Sequence, residues 1–179
     1  MTSFARPNKD DYPGAAKKHL DDAAALLAAK RFDGAGYLLG YVIECSLRTV
    51  VMLGEIVTRG NVAPALWRRE LDPSSQTMRR LASVASREAR AIGRGHDLGA
   101  LADATTGYRH VLNSSNATYA PPFDTAKSPF GGEDSWTESI RYRAEGDVDE
   151  LKAEEWLQIV EKVYEATVAK MIRDGLIRR

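Results

Sequence analysis

Residues 34–57 read GAGYLLGYVIECSLRTVVMLGEIV, and this stretch decides the fold. Ala35, Leu38, Leu39, Val42, Ile43, Ser46, Leu47, Val50 and Val51 recur at spacings of three and four, which places them on one face of a helix. Tyr37, Tyr41, Met52 and Leu53 carry apolar surface onto other faces. A helix that is apolar beyond one stripe lies at the centre of its domain or at an interface. Gly34, Gly36 and Gly40 expose backbone on one side and permit close helix approach, at about 1 kcal/mol each relative to Ala.

Helical signals continue on both sides of this stretch. Upstream, Ala16, Leu20, Ala23, Leu26 and Leu27 repeat at helical spacing, and Arg31 and Phe32 are expected to close that first helix. Asp33 stands where an N-cap of the second helix belongs, because its carboxylate can accept first-turn amides. Downstream, Gln76–Ile92 carries Met78, Leu81, Ala82, Ala85 and Ala89, and Gly93 and Gly95 end it. His96-Asp97-Leu98 opens a fourth helix with Leu98, Leu101, Ala102, Tyr108 and Leu112 inward. Trp136–Arg143 reads as a short helix or an extended strip. The last helix runs from about Asp149 to Asp174, on Ala153, Trp156, Leu157, Val160, Val163, Tyr164, Thr167 and Met171, with Asp147 or Asp149 as its cap. The expected fold is all-α, an up-and-down bundle of four to five helices. One domain spans 14–179 after a loose lead-in at 1–13, and a Ser-, Pro- and Gly-rich loop at about 113–135 packs partly on it through Tyr119, Phe123 and Phe130.

Composition narrows the class. The chain has 179 residues, 44% hydrophobic and 28% charged, enough to bury a core without metals or disulfides. Lys plus Arg equals Asp plus Glu at 25 each. That balance speaks against a general nucleic-acid coat, whose affinity comes from neutralising many phosphates. Local basic patches remain, at Arg79, Arg80, Arg87, Arg90 and Arg94, and at Arg173, Arg178 and Arg179; each reads equally as a solvated helix face. Cys45 is the single cysteine; its apolar neighbours Val42, Ile43 and Leu47 suggest a buried, inert thiol. No Cys or His pair has metal-ligand spacing, so neither a metal nor another cofactor is expected. No apolar signal peptide opens the chain, no run reaches about 18 apolar residues, and the expected location is cytoplasmic, away from membranes.

The run from Ala15 to Leu27, then Arg31-Phe32-Asp33-Gly34-Ala35-Gly36-Tyr37, then Tyr41-Val42-Ile43-Glu44-Cys45-Ser46-Leu47-Arg48 resembles the opening helical hairpin of HEPN (higher eukaryotes and prokaryotes nucleotide-binding) domains. The matching positions in the second helix are Tyr41, Glu44 and Arg48, the last more often lysine in that family. His96-Asp97-Leu98 is similar to the family's element at a later helix start, and Arg141-Tyr142 with the Glu- and Ala-rich final helix is similar to its last segment. The resemblance implies a helical bundle, frequent homodimerisation, here through helices, and association with nucleotides or RNA. It also implies toxin–antitoxin, defence or stress systems, often beside a nucleotidyltransferase-like partner protein. Ribonuclease members of the family use an Arg, four to six residues, then a His. Arg90-Ala91-Ile92-Gly93-Arg94-Gly95-His96 has that form, although Ala91 replaces the usual polar residue.

The candidate catalytic pair is therefore Arg90 and His96. Metal-independent RNA cleavage needs a group that exchanges protons near neutral pH, which His supplies. It also needs a fixed cation on the phosphate, which Arg supplies. Against this, His96 can equally cap a helix or hold a neighbouring one by a hydrogen bond. Glu44 and Arg48, four apart on one face, read as a structural ion pair or as a polar patch meeting His96 or Arg141 in a cleft. Tyr41, Glu44, Arg48, Asp97, Arg141 and Tyr142 form the candidate cleft. His19 and His110 are isolated, with His19 expected at the surface. Three functions stay open: a non-catalytic nucleotide- or RNA-associated protein, an endoribonuclease, and a protein-interaction module.

Overall fold

The computed structural model describes residues 11–60, 76–92, 96–108, 136–143 and 146–175, together with Leu112, Tyr119 and Phe130. They are mostly helical, and no strand occurs among the described residues.

α1 spans Tyr12–Ala28. Asp11 caps it, with Oδ1 accepting from the Gly14 amide at 3.1 Å, and Pro13 sits in the first turn, where its missing N–H is no loss. Its end is a Schellman motif: the Arg31 amide donates to the Leu26 carbonyl at 2.8 Å and the Lys30 amide to the Leu27 carbonyl at 2.9 Å. The C′ position that usually holds Gly is Lys30, with φ +56°. Arg31 and Phe32 therefore do not close α1, as the spacing suggested; the chain has already turned at Lys30, and Phe32 starts the next helix.

α2 spans Phe32–Gly60 and is the hub of the structure. It packs against α1, α3 (Gln76–Ala91), α4 (Leu98–Gly107) and α5 (Glu150–Tyr164). Leu39, Val42, Ile43, Leu47, Val50, Leu53 and Ile56 are completely buried, which accounts for apolar residues on every face. Phe32–Arg59 is long and apolar enough to cross a membrane by length and composition: an 18-residue window within it has a mean hydropathy of 1.3, and 83% of that window is buried inside the structure. An average over a window tolerates the few charged residues that interrupt an apolar run.

Two glycines of α2 mark close approaches. A Cβ on Gly40 would fall inside the Trp136 indole, and one on Gly54 would meet the Tyr108 ring. Asp33 does not cap α2. It lies within the first turn, and its two carboxylate oxygens accept from the amides of Gly146 and Val148 at 2.8 Å each, fastening the segment before α5 to the start of α2.

In α3, Ala85 and Ala89 are fully buried and Arg80, Arg87 and Arg90 are exposed. Asp97 caps α4, accepting from the Ala100 amide at 2.9 Å. Trp136–Arg143 resolves into a 3-10 turn at Glu138–Tyr142, anchored by buried Trp136 and Ile140. Asp149, rather than Asp147, caps α5 through the Lys152 amide at 2.8 Å. α5 passes through a π-helical turn at Glu165–Ala169 into α6, Lys170–Arg173. Buried Thr167 donates its hydroxyl to the Val163 carbonyl at 2.6 Å, the kind of back-bonding that accompanies such local unwinding. Tyr119 and Phe130, from the long Ser- and Pro-rich segment, are buried. Tyr119 donates to Asp174 Oδ2 at 2.6 Å, and the Phe130 ring lies 4.9 Å from Trp156.

Candidate functional site

Tyr37, Tyr41, Glu44 and Arg48 follow one another on α2 at spacings of four, three and four, so they form a single stripe along the helix. Four other segments converge on this stripe. α1 brings His19. The residue before the α4 cap is His96. The 136–143 segment brings Trp136, Glu138 and Arg141. α3 brings the Ala89 carbonyl.

Glu44 is the pivot. One of its oxygens accepts from Arg48 Nε at 2.9 Å, and the other faces His96 Nδ1 at 2.6 Å. Glu44 and Arg48 are only 5% and 7% exposed. A buried charge of either sign must be paired, and here the pair is completed by Arg48 donating to the Ala89 carbonyl at the end of α3. The other ring nitrogen of His96, Nε2, lies 2.8 Å from Glu138 Oε2. His96 is thus bracketed between two acids, one at each ring nitrogen. Its backbone is in the left-handed region at φ +64°, unusual outside Gly, and this aims the ring back at α2.

Aromatic rings wall the bracket. Tyr41 lies edge-on to His96 at 5.3 Å, to Trp136 at 5.3 Å and to Tyr37 at 5.0 Å, an arrangement that ring quadrupoles favour. Burial, with the Tyr37 hydrogen bond next, raises the Tyr41 phenol well above its usual range. Trp136 donates its indole N–H to the Tyr37 carbonyl at 3.1 Å, which fixes the strip from which Glu138 projects. His19 is not the isolated surface residue that its position suggested. It is half-buried, its ring centroid is 5.7 Å from that of Tyr41, and its Nδ1 is buried without a hydrogen-bond partner among the described residues. Burial, with Lys18 second, holds its pKa below the ordinary histidine value.

The structure thus brings Tyr41, Glu44, Arg48 and His96 together. Arg141 reaches the same stripe through the Tyr37 hydroxyl at 3.3 Å, and its guanidinium stacks on the exposed Tyr142 ring at 4.5 Å. Asp97 serves as the α4 cap. Arg90 lies elsewhere: it lines a surface depression with Arg59, Val84, Arg87, Glu88 and Ala91. The guanidinium in the His96 cluster belongs to Arg48. Tyr37, Trp136 and Glu138 were not anticipated. Tyr37, one turn before Tyr41, was the legible signal; nothing local points from Glu138 to a histidine far upstream.

Cys45 is buried, and burial pushes its thiol up to about 12. Among the described residues, no group of three or more His, Cys, Asp or Glu is placed to hold a metal ion. Arg94, His110, Phe123, Arg178 and Arg179 lie outside the described residues, as do the side chains of Met78, Arg79, Leu81 and Ala82. No family model, curated protein or solved structure matches the chain.

Proposed function

We propose that this chain is a HEPN-like helical bundle that associates with RNA or nucleotide phosphates without cutting them. It acts in the cytoplasm as a homodimer, or beside a nucleotidyltransferase-like partner, in a toxin–antitoxin, defence or stress setting. The observation that carries the non-catalytic reading is the bracket around His96. Nδ1 is 2.6 Å from Glu44 and Nε2 is 2.8 Å from Glu138, so both ring nitrogens are engaged by the protein's own carboxylates and neither is left to meet a substrate. What supports binding is the exposed arginine face of α3, where Arg87 and Arg90 share a depression with Arg59. Such a local patch can engage a phosphodiester backbone even in a chain of zero net charge.

One observation favours the second reading, an endoribonuclease. Glu138 is 45% exposed, and its withdrawal would leave His96 oriented by Glu44, the arrangement that general bases use. Incubating single-stranded and structured RNAs with the purified chain in EDTA decides between them. The binding reading expects every RNA to be recovered intact from wild type and from His96→Ala. Metal-independent cleavage lost in His96→Ala would establish the enzyme instead.

A further inference from the structure

α3 and α5 both pack on α2, and among the described residues neither packs substantially on the other. Their exposed faces are separate surfaces, and they carry opposite charge. On α5, Glu150, Glu154, Gln158 and Glu161 are exposed and recur at spacings of four, four and three, one line along the helix. On α3, exposed Arg80, Arg87 and Arg90 recur at spacings of seven and three. The rise of an α-helix is about 1.5 Å per residue, so each line is roughly 15 Å long. The zero net charge of the chain conceals two opposed faces.

Local pairing does not neutralise either line. On α5, Lys152 lies over the Trp156 ring. Lys162 has Glu155 seven residues before it on the same flank, and Glu165 is held by Arg173 at 2.6 Å. Glu150, Glu154 and Glu161 are left without a cation partner among the described residues. On the other side, Glu88 lies 3.6 Å from Arg59 of α2, and Arg80 and Arg87 have no carboxylate partner among the described residues. Glu150 with Glu154, and Arg87 with Arg90, are like-charge neighbours of the kind that destabilise an isolated helix. The helix dipole accounts for Glu150 in the first turn of α5. Its effect falls away within that turn, so it does not account for Glu154 or Glu161.

Each face also has one apolar feature, and the two are complementary in shape. Leu151 is 66% exposed, one of two large hydrophobic residues so exposed among the described residues. It stands beside Glu150, Glu154 and Glu155 on α5. The surface depression that holds Arg87 and Arg90 has Val84 and Ala91 in its lining. The apolar protrusion lies among acids, and the apolar recess lies among arginines.

We propose that the acidic face of α5 docks on the arginine face of α3 of a second copy of this chain, with Leu151 seated against Val84 and Ala91. The two patches are different parts of one surface. The contact is therefore heterologous, and it adds copies head to tail instead of closing as a two-fold dimer. It does not rest on RNA binding, although both use Arg87 and Arg90.

The test is sedimentation velocity of the full chain, freed of nucleic acid, over a range of protein concentration. At about 20 mM salt the sedimentation coefficient should climb past that of a dimer as concentration rises, and at about 500 mM it should climb much less, because exposed charges are screened. Glu154→Lys with Glu161→Lys should weaken the association at least about tenfold, and so should Arg87→Glu with Arg90→Glu. Mixing the two variants should restore it, since the reversed α5 face of one then fits the reversed α3 face of the other. Leu151→Ser should also weaken it about tenfold, with the salt dependence kept. All these side chains are exposed, so melting temperatures should stay near that of wild type, and lost association then reports the surface rather than the fold. A wild type that stays monomeric at low salt overturns the proposal. So does association that stops at a dimer and ignores both charge reversals, or a mixture of the two variants that fails to associate. Because no RNA is present, these outcomes leave the RNA reading to its own test.

Discussion

Glu44 and His96 are 52 residues apart in the chain, and Glu44 Oε2 lies 2.6 Å from His96 Nδ1. This contact ties the interior of α2 to the start of α4, and through Glu138 to the 3-10 turn. Arg48 closes the same carboxylate from the other side and grips the end of α3. Three segments distant in sequence are thus referred to one buried acid, and the cluster sets where the exposed arginine face of α3 stands.

Removing that acid should be costly to the fold. Glu44→Leu leaves Arg48 charged and buried, and a loss of roughly 3–5 kcal/mol is expected from breaking one side of a buried pair. Replacing both, Glu44→Leu with Arg48→Met, should lose less than Glu44→Leu alone, because no unpaired charge remains. Urea unfolding of the two variants against wild type measures this. A double variant less stable than the single would show that Arg48 does not depend on Glu44.

Gly40 is the seat of Trp136. A methyl group there would occupy the space of the indole, so Gly40→Ala should cost about 1–3 kcal/mol by overpacking. It should also displace Trp136 from the Tyr37 carbonyl. The check is tryptophan emission together with denaturant midpoint. An unshifted spectrum with unchanged stability would contradict the close approach.

His19 gives a pH dependence with a defined sign. Burial holds its folded pKa below the ordinary value of 6.5, so the unfolded chain binds the extra proton more readily. The contribution of neutral His19 is present above about pH 6.5 and is lost as pH falls below it. Wild type should therefore lose melting temperature relative to His19→Phe between pH 7.5 and pH 5.5. A difference that stays constant across that range would place His19 in solvent.

Cys45 should be silent in the folded protein. Its thiol is buried and pushed up to about 12, and only the thiolate reacts. Ellman's reagent at pH 8 should label no cysteine in the native chain and one after denaturation. Rapid native labelling would mean that α2 opens at its centre.

The helices were legible because their signals are local. The three-and-four spacing of Leu39, Val42, Ile43, Leu47 and Val50 located α2, and Asp97 and Asp149 were readable as caps. Asp33 was misplaced because a carboxylate near a helix start has two ways to satisfy amides, and the choice of Gly146 and Val148 depends on tertiary approach. The pairing of Glu44 with Arg48 follows from helix geometry. Its extension to His96 and Glu138 does not, since it needs the left-handed turn at His96 and the seating of Trp136 on Gly40. Periodicity places a residue on a face; it does not say which distant segment covers that face.

The most direct test of the central claim is equilibrium binding of a labelled single-stranded RNA over a range of salt, with the RNA recovered and sized afterwards. Saturable binding and full-length recovered RNA are expected. Arg87→Ala with Arg90→Ala should weaken binding and flatten the plot of log affinity against log salt by roughly 0.7 per lost phosphate contact. Shortened RNA, or an affinity and salt slope unchanged by the two substitutions, would contradict it.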